Sequence, residues 1–294
     1  SNVAGGGTNT ASGNYSNVAG GSSNTASGDR ANVAGGSFNI ASGNYSTVVG
    51  GFSSRATGHV TFVGAGSGNR ASGCYGFIGG GLCNTASGVY SNVVGGQSNI
   101  ASGSSSNVVG GTLNTASGNY STVAGGAINT ASCFYSSIAG GRNNVVCANC
   151  SSIGGGNNNR IVSTGGNSTI AGGCGNTLSG SSAFSFIGGG CCNAVRNPQS
   201  SIIGGANNLV TGLASSITGG CSNTVASSRS FIAGGCCNYS NLTNTFILGS
   251  NLSASQADYT YANNLSVQGT IYAGGNVFGG TYLNILSGTT YTIQ

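Results

Sequence analysis

Residues 16–30 read SNVAGGSSNTASGDR, and nearly everything up to about residue 250 is a variant of this fifteen-residue unit. Aligning Gly20-Gly21 with its echoes gives starts at Ser1, Ser16, Ala31, Ser46, Thr61, Gly76, Ser91, Ser106, Ser121, Ser136, Ser151, Ser168, Ser185, Ser200, Ser215, Ser230 and Thr245. The step is fifteen except from Ser151 to Ser168 and from Ser168 to Ser185, where two residues enter each time. Self-similarity at this period is the signature of a solenoid, whose units bury their apolar sides only by stacking on their neighbours.

The third position holds Val or Ile in every unit, from Val3 and Val18 to Ile232 and Ile247. A β-branched residue required each time marks the inner row of a strand. The eleventh position gives a second row, Ala11 to Ala131, which enlarges to Val146, Ile161, Leu178, Val195, Val210 and Val225. Gly doublets at positions five and six, with Gly often at thirteen, supply corners, because Gly tolerates φ > 0. The spacing predicts an all-β, parallel solenoid with fifteen-residue coils, two short strands and two tight turns per coil. Asn fills the ninth position in most coils, among them Asn9, Asn99 and Asn238, and is expected to form a structural ladder in which each side chain bonds the next.

Composition excludes several classes of function. The chain of 294 residues has 58 Gly, 3% charged residues, no Met and no Trp, which is far from a globular average. Its net charge of +5 comes from seven scattered Arg, so no basic run suggests a nucleic-acid groove. No stretch holds the roughly 20 apolar residues of a membrane span, and no n-region and h-region mark a signal peptide. The chain opens in repeat register without a polar cap, which points to a fragment, a processed chain or the ordered part of something longer. General acid/base catalysis would have only His59, Asp29 and Asp258 to use, with no Glu, so no enzyme is expected. Cys147-Ala148-Asn149-Cys150 has metal or redox spacing but no second pair, and without Lys there is no Walker loop, so neither metal nor cofactor is expected.

The segments SNVAGGSSNTASG and GNYSTVAGGAINTASC resemble the head repeats of YadA-like trimeric autotransporter adhesins and related repeats in phage and viral fibres. The resemblance covers about residues 1–250 and implies a left-handed parallel β-roll, three chains side by side around a common axis, and an adhesive role. The family's coil is commonly fourteen residues, and its barrel anchor and coiled-coil stalk have no counterpart here. A second resemblance, carried by Asn208-Leu209-Val210-Thr211-Gly212, is to grass-type ice-binding proteins. Their flat Thr face has a partial echo at position ten in Thr10, Thr25, Thr85, Thr115, Thr130, Thr177 and Thr224, interrupted by Arg55, Arg70, Arg160, Ile40 and Ile100.

Position fifteen carries Tyr15, Tyr45, Tyr75, Tyr90, Tyr120 and Tyr135. Aromatics with an apolar body and polar tip suit either packing between chains of a trimer or stacking on sugars of a host surface. Eleven Cys include Cys174, Cys191, Cys221 and Cys236, all at position seven, so stacking brings Cys174 near Cys191 and Cys221 near Cys236. They are read either as inter-coil disulfides or as small apolar filler. Sequons such as Asn14, Asn44, Asn119, Asn149 and Asn238 offer sugar attachment in a eukaryotic host.

Beyond residue 250 the period is lost, and 251–294 is read as a C-terminal β collar after a roll spanning 1–250. So thin a core favours lateral association, and the expectation is a homotrimeric fibre segment on a virion or cell surface, extracellular, binding host glycans or proteins multivalently without inserting into a membrane. Rival readings are an ice-binding solenoid and a purely structural fibre.

Overall fold

The computed structural model describes residues 1–263, which form a parallel β-solenoid of about 17 turns of about fifteen residues, with no helix among them. Turns are numbered here from the seventeen starts given above. Turn two shows the plan: strand Asn17–Val18 lies on one face and strand Thr25–Ala26 on another. Each pairs in parallel with its equivalent fifteen residues away, Val18 with Val33 and Ala26 with Ala41. Repetition builds one sheet of 18 strands and another of 16. A third column of single bridges at position seven links Gly7 to Ser22 and so on to Cys236. Two strands per turn were expected; the third column was not.

In each strand the first residue faces out and the second in. The inward rows are fully buried from Val18 to Ile247 and from Ala26 to Val225. A turn therefore contributes only one large and one small or medium apolar side chain to the core. Buried polar rows flank them. Position-one hydroxyls sit inside, and several donate to the position-thirteen carbonyl of the preceding repeat, as Ser91 does to Gly88 (2.7 Å) and Ser106 to Gly103 (2.7 Å), whereas those of Ser46 and Ser121 are buried without a partner.

Two corner positions, eight and fifteen, adopt left-handed φ in residues other than Gly, including Tyr45 (59°), Val60 (52°) and Ile128 (59°). That conformation costs a β-branched residue of order 1–3 kcal/mol and persists because neighbouring turns hold it. At position fifteen, for example, the Tyr45 amide donates to the Asp29 carbonyl one turn below (2.8 Å). The two longer units stack on each other, and their extra residues lengthen the second strand. Arg160–Ser163 pairs with Thr177–Gly180 over four residues where other turns pair two. Adjacent insertions thus satisfy each other's backbone.

The ladder continues past 250. Phe246–Leu248 pairs with Thr260–Ala262, Ile247 facing Tyr261 at a step of fourteen, and the first compact unit spans Ser1–Asn263. Of the expected collar, the part after 263 lies outside the described residues.

Candidate functional site

The ninth-position ladder is the most regular polar feature, and its geometry differs from simple amide-to-amide bonding. Asn99 Nδ2 donates to the carbonyls of Gly95 in its own turn and Gly111 in the next, both at 2.9 Å. Its Oδ1 accepts from the backbone N–H of Asn114 at 3.0 Å. The same pattern runs from Asn9 to Asn238, where Oδ1 accepts from the Leu252 amide (3.0 Å). Two direct amide-to-amide bonds occur, from Asn223 to Asn208 and from Asn238 to Asn223. Each Asn therefore fastens corner backbone that no strand can satisfy, and its amide orientation is fixed by two acceptors on one side and a donor on the other. Asn238, although in a sequon, is buried inside this ladder.

Turn four breaks it. Ser54 takes position nine, and its buried Oγ has no partner. The side chain is too short to reach the carbonyls of Gly50 and Gly66 or to receive the Asn69 amide, the partners that the pattern assigns. Ser54→Asn should restore these bonds and stabilise the protein by about 1–2 kcal/mol. Thermal unfolding by circular dichroism checks this, and an unchanged or lower midpoint would show that the corner has no room for the amide.

The six tyrosines form a column on the outside, exposed from 43% at Tyr75 to 78% at Tyr15. The structure brings them together unevenly. Tyr75 and Tyr90 stack at 4.8 Å and 11°, and Tyr120 and Tyr135 at 4.8 Å and 14°. Between Tyr45 and Tyr75, where Val60 holds position fifteen, His59 fills the column edge-on to both rings (5.7 and 5.8 Å). The guanidinium of Arg30 lies over Tyr15 (5.4 Å) and Tyr45 (5.2 Å), within cation–π range. Arg30 and His59 were not read from the sequence as part of this array, although a step of fifteen places Arg30 directly between Tyr15 and Tyr45. Asp29 is engaged with Arg30 in an exposed ion pair (3.0 Å) rather than with His59.

Near-parallel rings one turn apart turn their faces to each other and present edges and hydroxyls outward. The exception is turn seven. Ser105 sits at position fifteen, half-buried, with Tyr90 one turn below and Tyr120 one turn above. At the strand spacing these rings bound a gap of about 10 Å whose two walls are ring faces.

Large apolar side chains also stand out at two other outward positions, between small and polar residues. Val49, Val94, Val109 and Ile203 project at position four, and Phe38, Leu113 and Ile128 at position eight, all more than 40% exposed. The position-ten row is uneven: a shallow hollow lies among Thr25, Ile40, Arg55, Phe38 and Phe52, and Arg55, Arg70 and Arg160 stand exposed in the row.

Cys221 and Cys236 are joined as a disulfide, with Cα atoms 4.7 Å apart. Cys174 and Cys191 face each other as bridge partners but are free thiols. Cys191 also approaches Cys192 (Sγ to Sγ 3.2 Å), and the contact with Cys192 is the main influence pushing the Cys191 thiol pKa up. Cys147, paired in sequence spacing with Cys150, lies instead against Cys133 of the turn below, at 3.8 Å.

No protein-family model matches the chain, and no curated protein matches its sequence.

Proposed function

We propose that the chain is a segment of a homotrimeric surface fibre, with a roll of the kind found in YadA-like heads, that binds host or environmental surfaces through repeated weak contacts. The carrying observation is the set of large apolar and aromatic side chains left outside the roll, against a core of about two side chains per turn. Where such side chains meet across neighbouring turns, as Tyr75 does with Tyr90 and Phe38 with Phe52, they form patches of the kind that mark association sites. The apolar side chains that stand out at positions four and eight would supply patches for lateral packing of three chains.

The tyrosine column is the ligand-facing element. Its hydroxyls and ring edges suit hydrogen bonding along a polysaccharide, and the gap between Tyr90 and Tyr120 would leave ring faces open to stacking on a sugar ring. Three identical columns in one fibre would multiply weak affinities through effective concentration. The work is structural and adhesive, extracellular or on a virion, with no catalytic step.

Light scattering after size exclusion tests the assembly. A mass three times the chain's 28.2 kDa, unchanged by reductant, is expected. A monomer would overturn the trimer and bring the ice-binding reading forward, despite the exposed arginines in its Thr row. A trimer that retains no cells and binds no glycan on an array would reduce the function to a purely structural shaft.

A further inference from the structure

The approach of Cys133 to Cys147 is explained by neither the repeat nor the aromatic column. Position thirteen is Gly in all eight earlier turns because a Cβ there meets the next turn's backbone: at Gly118 it would overlap the carbonyl of Cys133. Cys133 is the first residue with a heavier side chain at that position, and the corner above it changes at the same step. Turn ten brings Cys147 to position twelve and Ala148, buried, to position thirteen. This is also the step at which the second inward row changes from Ala131 to Val146, its paired neighbour. The core therefore widens at the step where the two thiols meet.

We infer that Cys133 and Cys147 form a disulfide that staples turn nine to turn ten at this seam. Their sulfurs are 3.8 Å apart, and because the two residues are fourteen rather than fifteen apart, a turn spacing of about 4.8 Å combined with one residue's rise of about 3.3 Å gives a diagonal Cα separation of about 5.8 Å, within the range of about 4.4–6.8 Å that a disulfide spans. Cys147 is exposed and Cys133 half-buried, so an external disulfide reaches Cys147 first. The Cys147 thiolate attacks a small-molecule disulfide RSSR, forming a mixed disulfide and releasing RS⁻. The Cys133 thiolate then attacks the Cys147 sulfur, closing the protein disulfide and releasing a second RS⁻. The two protons given up by the thiols end on the two RSH products, and RSSR is the species reduced. Burial, with the neighbouring Cys147 adding to it, pushes the Cys133 thiol pKa up, which suits it to this second, intramolecular step more than to the first.

The assignment also orders the other sulfur pairs. Cys133 and Cys147 join turns nine and ten, Cys174 and Cys191 face each other across turns twelve and thirteen, and Cys221 and Cys236 join turns fifteen and sixteen. Sulfur thus bridges or faces every third step through the half of the roll with the larger core, and the Cys147-x-x-Cys150 spacing is incidental to it.

Arg142 lies between the two cysteines, so trypsin separates them. The folded chain, incubated with oxidised glutathione, blocked with an alkylating agent and digested without reductant, should yield peptides 71–142 and 143–160 as one species. That species should be two hydrogen masses lighter than the sum of the two peptides alkylated at Cys74, Cys83 and Cys150 alone, and should split on reduction. It should vanish in Cys133→Ser and in Cys147→Ser and persist in Cys150→Ser, Cys74→Ser and Cys83→Ser. Two separate peptides from the oxidised wild-type chain would overturn the inference. So would a link that survives Cys133→Ser, or one that joins isotopically labelled to unlabelled chains in a mixture and so bridges copies.

Discussion

Gly111→Ala is expected to open the roll between turns eight and nine, whereas Gly110→Ala, one residue away, should leave it intact. Gly111 has φ of 87°, a conformation that side-chain-bearing residues rarely adopt, and a Cβ there would overlap the Gly126 carbonyl oxygen and crowd Asn114 Nδ2. Both neighbours belong to rigid ladders, so relief requires the turns to separate. Backbone strain of about 1–3 kcal/mol plus this overlap places the cost above about 4 kcal/mol. Gly110 has open space where a Cβ would stand, and Ala65 already occupies the equivalent position in turn five. Because each turn touches only its neighbours, damage should stay local. Hydrogen exchange should show loss of protection in turns eight and nine of Gly111→Ala and little change in turns fourteen to sixteen. Equal effects of the two substitutions would mean that the doublet is needed for flexibility alone.

Asn99→Ala should cost about 3–5 kcal/mol, because it strands three buried backbone groups at once: the carbonyls of Gly95 and Gly111 and the amide of Asn114. Its volume contributes little to that figure. The isosteric Asn99→Asp separates the two causes. At neutral pH its carboxylate would face two carbonyl oxygens in a buried site, making it worse than Ala. Such a carboxyl has its folded-state pKa raised, so the unfolded chain releases its proton first as pH rises and stability falls with pH through that range. The deficit of Asp relative to Ala should therefore shrink below about pH 4, where the protonated acid can donate one bond. Urea unfolding at the two pH values measures this, and a pH-independent difference would show that water, rather than the two carbonyls, solvates the side chain.

The inward rows were legible because their chemistry is monotonous: only a β-branched residue recurs at position three and only a small one at position eleven through the first nine turns. Asn at position nine was legible as a ladder, yet its bonds go mostly to backbone, since the corner carbonyls have no other donor. The bridge column at position seven was invisible. Gly7, Phe52, Arg142 and Cys174 share no chemistry, because there the backbone makes the bridge whatever side chain it carries. Buried hydroxyls at position one were missed for a related reason: Ser reads as a surface residue unless its bond to a corner carbonyl is known. The repeat also ran beyond its expected end, since turn seventeen keeps its pairing while Leu252-Ser253-Ala254 departs from the Asn-x-Ala pattern and the step shortens to fourteen.

The in-register pairing of every turn with the next makes the length of the solenoid a variable that a gene can change in units of one turn. Deleting or duplicating a whole fifteen-residue block in the first nine turns leaves each strand facing an equivalent partner, and the inserted block brings its own corner bonds with it. Changes of other sizes are taken up outside the inward rows: the stacked seventeen-residue units lengthen their second strands together, and the step of fourteen near the end still leaves Ile247 facing Tyr261. The length of the solenoid is therefore adjustable in whole turns by recombination between near-identical repeats, with the outward tyrosine column extended by the same event that lengthens its support.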